Sequence, residues 1–295
     1  MSLRTESSWS RTGKESGLDL NYKMYKANEK NLSRILVQIH RISGFDARQY
    51  RASTLKRRIE RRLMATKSKS YKEYLAFLKR NPSESHKFLD VLSINITHFF
   101  RDKRVFFTLK RKILPDLLAK ISAGNRKRIR IWSIGCSGGQ EPYSLAIILS
   151  EIIKSKKDNL KIIIHATDVS IAALKQAKRA QYKIKEVKNV PHSYLNKYFT
   201  KIRDNGFKIK DNISKLMRFR YHDLIKGKTL GKFDLILCRN LFIFFNPELQ
   251  KKMFKKIHAS LKKEGILVLG TAETPKDENL FLCISSQDHI YKKIT

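Results

Sequence analysis

Apolar residues along the chain fall into two textures that meet near position 128. Before it the spacing is helical. Ile35, Leu36 and Ile39 form one stripe, Leu55, Ile59 and Leu63 a second at i, i+4, i+8, and Tyr71, Tyr74, Leu75 and Leu78 a third. Asn81-Pro82-Ser83 breaks the pattern and can open a new helix, and a further helical stretch is predicted over Arg101 to Ser122. From Arg128 onward short β-rich runs alternate with helical periodicity. Ile129 to Ile134, Lys161 to Thr167, Phe233 to Cys238 and Ile266 to Gly270 read as strands. Pro142 to Ile153, Ser170 to about Ala180 and Pro247 to Lys263 read as helices, the last capped by Gly265. Leu280 to Ile294 supplies one or two closing strands.

This order predicts an α/β fold with a mostly parallel sheet, helices on both its faces and a small all-helical domain in front. The predicted units are a polar, flexible segment 1–30, a helical domain 31–92, a linker and helix 93–127, and an α/β domain 128–295. From Tyr182 to Arg220 the alternation is interrupted by basic residues. They carry a short helical stripe (Tyr194, Leu195, Tyr198, Phe199) and a turn at Gly206 between two extended pieces. A connection this long carries structure or function of its own.

Composition narrows the classes. With 41% hydrophobic residues the chain can bury a core, so it is not a disordered protein. No run approaches the ~18 apolar residues of a membrane span, and Met1 to Lys30 lacks the apolar centre of a secretory signal. The expectation is a cytoplasmic monomer without membrane insertion. Cys136, Cys238 and Cys283 are far apart and support neither a disulfide framework nor a metal site. Lys and Arg number 63 against 26 Asp and Glu, a net charge of +37. That charge draws a protein toward nucleic acid, anionic membrane or a carboxylate-rich protein. A general bias toward Lys explains it equally well.

The first strand runs into Gly135-Cys136-Ser137-Gly138-Gly139-Gln140-Glu141-Pro142, and the second ends at Asp168. In open α/β sheets ligands bind at the carboxyl ends of strands. Glycines let the backbone approach a ligand, and an acid after the second strand suits ribose hydroxyls. The dinucleotide fingerprint does not fit at Gly135 and no phosphate loop is present. A nucleoside with a cation and no phosphate, such as S-adenosylmethionine, suits Glu141 and Asp168. A purely structural glycine turn remains the alternative on these residues alone.

Four motifs in order carry a resemblance. Asn95-Ile96-Thr97-His98-Phe99-Phe100-Arg101-Asp102, Trp132 to Ser144, Ala166-Thr167-Asp168 and Phe233 to Asn240 resemble the signatures of the CheR family. These are chemotaxis methyltransferases, which use S-adenosylmethionine to esterify glutamates on the cytoplasmic helices of chemoreceptors. The resemblance runs from about Leu32 to the C-terminus. It implies a Rossmann-like methyltransferase domain with a small β-subdomain inserted at about 182–220. It also implies a methylesterase as functional counterpart and no stable nucleic-acid partner.

By the same resemblance Asn95, Thr97 and Arg101 reach the cofactor from the interdomain segment. Gly135 and Glu141 face its methionine or ribose portion, Asp168 its ribose, Asp223 and Leu224 its adenine, and Arg239 and Asn240 line the methyl-transfer site. Arg101 and Arg239 are the candidate catalytic residues, since a guanidinium fork can position a carboxylate. For both, a salt bridge in the domain seam is the competing reading, and for Thr97 a helix N-cap. The family commonly has Tyr where this chain has Phe244, so any role of a phenol hydroxyl is lost. Arg57, Arg58, Arg61 and Arg62 flank the Leu55-Ile59-Leu63 stripe and are expected to project outward, where the family's basic helix recognises the acidic methylation region. Some members dock a receptor tail peptide on the β-subdomain. The loop near Gly206 is shorter than theirs, which implies no such docking here. Two alternatives stay open: a same-fold methyltransferase acting on nucleic acid, and a cofactor-binding module without turnover.

Overall fold

The computed structural model describes residues 17–92, 97–156, 160–203, 206–277 and 279–294. Four helices lead: α1 (Gly17–Ser43), α2 (Ala52–Thr66), α3 (Tyr71–Arg80) and α4 (Glu84–Leu92). The predicted stripes are their inner faces, with Ile35, Ile39, Leu55, Ile59, Tyr74 and Leu78 at most 3% exposed. The helix α1 starts at Gly17, inside the segment whose polarity predicts no structure. Once the packed half over Leu32 to Ser43 is nucleated, extending a helix through good formers costs little. Residues 1–16 lie outside the described residues.

A short α5 (Lys103–Thr108) passes through a π-turn at Leu109–Ile113 into α6 (Leu114–Ala123). The α/β unit then adds β1 (Arg128–Ile134), α7 (Gln140–Lys156), β2 (Lys161–Asp168) and α8 (Ile171–Arg179). The insertion follows as β3 (Gln181–Lys183), α9 (Ile184–Val187), α10 (His192–Tyr198), β4 (Phe199–Ile202), β5 (Gly206–Ile209) and α11 (Asp211–Ser214). Its strands form a separate antiparallel sheet, ordered β3-β5-β4. The chain returns through β6 (Met217–Tyr221), β7 (Phe233–Cys238), α12 (Pro247–Ser260), β8 (Leu261–Leu269), β9 (Phe281–Ser285) and β10 (Ile290–Lys293).

The main sheet runs β6-β2-β1-β7-β8-β10-β9, parallel from β6 to β8, with β10 antiparallel to both neighbours. Its two faces pack into two cores. Ile129, Ile131, Ile162 and Ile164 join the apolar faces of α6 and α7. Trp132, Ile134, Phe233 and Ile236 join α12 and, through it, the helical domain. One expectation needs correction. The helix α12 ends at Ser260 rather than Lys263, because Leu261 is already paired with Phe233 in β8 and tertiary pairing overrides the glycine signal. The crossover from β6 to β7 contains no helix, and among the described residues the α12 side of the sheet is bare over β6, the amino-terminal part of β2 and the start of β1.

Candidate active site

The carboxyl ends of β1, β2 and β7 open onto a cleft roofed by the helical domain. Its space is about 660 Å³ including the mouth. From the sheet come Gly135, Ser137, Asp168, Asp223, Leu224, Arg239, Asn240 and Phe244; from the helical domain come Phe45, Tyr50 and Leu92. The two domains are stitched at this seam by backbone. Arg51 N–H donates to Phe244 O at 2.8 Å and Asn246 N–H to Gln49 O at 3.2 Å, while Tyr50 meets Phe245 edge-on at 5.3 Å. Asp90 of α4 accepts from Ser170 Oγ at 2.6 Å.

The turn after β1 is held open for a ligand by its own contacts. Gly139 has φ +90°, and a Cβ there would lie 3.1 Å from Ala177, Tyr143 and Tyr182 alike. Only glycine meets both demands. Asp168 is buried, with one oxygen accepting from Ser137 N–H and the other from Ser170 N–H, both at 2.8 Å. Burial raises its pKa, and the N–H groups of Ser170, Ser137 and Val169 oppose that rise. Asp168 therefore presents a rigid carboxylate edge to the cleft. Asp223 accepts from Ile225 N–H at 2.8 Å, and Lys256 of α12 donates to Leu224 O at 2.6 Å, which fixes the loop after β6.

Arg239 is the sharpest case. Its side chain is only 1% exposed; one terminal nitrogen meets Asp102 and the other lies 3.4 Å from Glu141. Glu141 also accepts from Ser133 Oγ at 2.9 Å, and its pKa is raised by burial against the pull of Arg239. Of the two sequence readings, the structure shows the salt bridge in the domain seam. Both terminal nitrogens of Arg239 meet acids, and its buried Nε has no hydrogen-bond partner among the described residues.

Arg101 sits in a turn of unusual backbone. Phe100 and Asp102 on either side have φ of 53° and 58°. Non-glycine residues there cost energy unless the surroundings impose the conformation. Here they do. Phe99 is fully buried against Tyr182 and Phe199, and Phe100 N–H donates to Ser144 Oγ at 2.9 Å. The half-buried Arg101 lies near enough to Glu141 to pull its pKa down. Thr97 precedes this turn and caps no helix; position 102 is the cap of α5, without a side-chain bond. Neither Thr97 nor Arg101 is among the cleft-lining residues, and Asn95 lies outside the described residues.

The outward-facing arginines divide. Arg57 and Arg61 of α2 are exposed as expected. Arg58 is 4% exposed and Arg62 is bound in a fork to Glu84 at 2.7 and 2.9 Å, so neither projects freely. At 100° per residue both stand beside the apolar stripe; Arg62 is drawn to Glu84 of α4, and Arg58 is buried with the stripe.

Sequence reasoning missed three groups. Glu273, 3% exposed, accepts from the N–H groups of Asn240, Phe242 and Gly270 at 2.7–2.8 Å and of Ile243 at 3.3 Å. A single carboxylate thus shapes the loop that carries Arg239, Asn240 and Phe244, and Asn240 is held at φ 59°. A Cβ at Gly270 would lie 2.8 Å from Asn240 N. Tyr50 and His222 line the cleft; the His222 ring meets Trp132 at 5.6 Å, and its buried Nε2 has no hydrogen-bond partner among the described residues. Glu273 stands in Gly270-Thr271-Ala272-Glu273 after β8, an acid at a strand end, which was the available signal.

The donor set fits S-adenosylmethionine. Asp168 and Asp223 are acceptors for hydroxyl and amino groups, Tyr50, Leu224 and Phe244 are apolar walls, and the lining cation Arg239 is neutralised by two acids. A phosphate-bearing ligand would find no compensating charge there. His222 Nε2 is an orphaned polar atom for the ligand to satisfy.

Two family models match the chain. One, described as CheR methyltransferase, SAM binding domain, covers residues 95–290, and the other, CheR methyltransferase, all-alpha domain, covers residues 30–93. A chemotaxis protein methyltransferase of Borreliella burgdorferi is 33% identical over 247 residues, covering 82% of this chain and 87% of that protein. That of Listeria monocytogenes is 31% identical over 235 residues, covering 80% and 86%. Chemotaxis protein methyltransferase 1 of Pseudomonas aeruginosa is 36% identical over 189 residues, covering 63% and 68%. With both units matched in order and the cofactor cleft formed where they meet, the chain belongs to the CheR family of S-adenosylmethionine-dependent methyltransferases.

Proposed function

We propose that this protein methylates glutamate side chains on the cytoplasmic helices of chemoreceptors. When bound, S-adenosylmethionine supplies an electrophilic methyl that a carboxylate oxygen takes as the carbon–sulfur pair returns to sulfur. A glutamate is already ionised near pH 7, so no general base is needed. What the chain must provide is orientation at attack distance. The observation that carries the reading is the imposed backbone around Arg101, which holds a half-buried guanidinium beside the Glu141–Arg239 pair at the domain seam. In this reading Arg101 positions the incoming carboxylate, while Arg239 and Glu141 hold the edge of the cofactor site. Asp168 takes the ribose and the Asp223–Leu224 loop the adenine. Phe244 contributes an apolar wall, and the absent phenol is not required by a reaction that moves no proton. The exposed Arg57 and Arg61 steer acidic helices toward the cleft. The protein acts on the cytoplasmic side as a monomer, and a methylesterase reverses its product.

The test is to incubate the protein with methyl-labelled S-adenosylmethionine and a chemoreceptor cytoplasmic fragment from the same source. Label released as methanol by mild alkali is expected. Arg101→Ala is expected to lower the rate by about 100-fold while calorimetry still shows cofactor bound. Alkali-stable label on nucleic acid would instead select the same-fold alternative.

A further inference from the structure

The bare part of the sheet is a strongly cationic surface remote from the cleft. On β1, Arg128 and Arg130 point to the α12 side; on β2, Lys161, Ile163 and His165; on β6, Arg218 and Arg220. The register sets Arg128 opposite Lys161, Arg130 opposite Ile163 and Arg218 opposite His165. Two arginine rows therefore flank a floor of Ile163 and His165, with Phe233 closing one side beneath Arg130 at 5.1 Å. Among the described residues none of the five cations forms an ion pair; Arg218 reaches only the carbonyls of Lys215 and Met217. The buried Asp234 is taken by Arg126 and Lys262 and accepts from the backbone N–H of Arg130. His165 has its pKa lowered by burial, then by Arg130, Arg220 and Arg218, with no acid opposing.

We propose that this groove is a docking surface for an acidic amphipathic helix of a partner protein, separate from the cofactor cleft and from α2. Three features select that occupant. Sheet faces in this architecture are covered by helices, and here the crossover that would supply one has none. The two flanking strands stand ~10 Å apart across β2, the width of a helix of about 10 to 12 Å diameter. Guanidinium rows match carboxylates in forked pairs, while the apolar floor accepts a Leu or Ile stripe. A second copy of this chain is disfavoured by its own charge of +37. Single-stranded nucleic acid would need exposed aromatic platforms; Phe233 is fully buried, and the half-buried Phe219 packs against the core on the opposite face. The inference does not depend on which carboxylate is methylated.

The test uses the full chain and a stapled helical peptide of about 20 residues, with Glu on both flanks of a Leu stripe, followed by fluorescence anisotropy. R128E/R220E is expected to weaken binding by about tenfold, R128Q/R220Q by about threefold, and K251E/K255E on exposed α12 by less than about twofold. The last pair changes net charge as much as the first, at a different place. A peptide of the same composition with the Leu stripe scrambled is expected to bind several-fold more weakly. Equal losses from both charge-reversed pairs, no loss from R128E/R220E, or equal binding of the scrambled peptide would each overturn the proposal. So would RNA homopolymer or phosphatidylserine vesicles binding with the same dependence on Arg128 and Arg220. Cofactor calorimetry on each variant confirms that the cleft is folded.

Discussion

The two ends of β1 and β2 hold opposite arrangements of charge. At their carboxyl ends Asp168 and, from β8, Glu273 are buried and Glu141 is half-buried, and each oxygen is met by a backbone N–H, a hydroxyl or Arg239. Toward their amino ends Arg128, Arg130 and Lys161 form no ion pair among the described residues. Buried acids must be satisfied within the fold, because leaving one unpaired costs several kcal/mol. Exposed cations are satisfied by water and cost little. The first arrangement is therefore preorganised for one ligand, and the second is available to a partner.

The largest break in that contrast comes from Glu273→Ala. It strips four N–H groups of their acceptor in the loop bearing Arg239, and a loss on the order of 3 kcal/mol in unfolding free energy is expected, measured by denaturant titration. Glu273→Gln, which keeps one acceptor oxygen, should lose less. If the alanine variant were as stable as the parent, the loop would not depend on this carboxylate.

Arg239→Leu is expected to act next, and in a pH-dependent way. Burial already raises the pKa of Glu141, so the folded state holds its proton more tightly than the unfolded one. A group of that kind lowers stability as pH rises above about 4.5, the unfolded value. Removing Arg239 takes away the largest opposing influence. Melting temperature should therefore fall more steeply with pH in the variant than in the parent, between about pH 5 and 8. Parallel curves would sink the assignment of Arg239 as the partner of Glu141.

The smallest effect is expected where the charges are unpaired. R128E/R220E should change unfolding free energy by less than about 0.5 kcal/mol, and the sign should favour the variant at low salt, where like charges are least screened. A large destabilisation would show that these arginines serve the fold itself.

Much of this was legible in residues. Strand and helix spacing placed β1, β2, α8 and β7 within a residue or two, because β-rich runs and helical periodicity are both written in local sequence. The cofactor class was legible in Gly135–Gly139 and Asp168, since backbone approach and an acid at adjacent strand ends are local properties. Arg58 and Arg62 were misplaced. Their angle on α2 borders the apolar stripe, and for Arg62 only the arrival of α4, with Glu84, decided that it turns inward. For Arg239 the sequence left both an open fork and a seam salt bridge, because Asp102, far away in sequence, is invisible as its partner until the domains meet.

What the sequence determined by itself was the order of elements, the two-part organisation and the turn that shapes the cofactor cleft. Each depends on hydrophobic period or on backbone geometry within a few residues. Only the tertiary structure decided which charges are spent and which remain. Glu273 is spent on the loop after β7, Arg239 on Glu141 and Asp102, and Arg62 on Glu84; Arg57, Arg61 and the cations of the bare sheet remain. The reason is that a charge inside the fold must find its partner among residues distant in sequence. Whether it does is settled by packing, and sequence spacing carries no record of that.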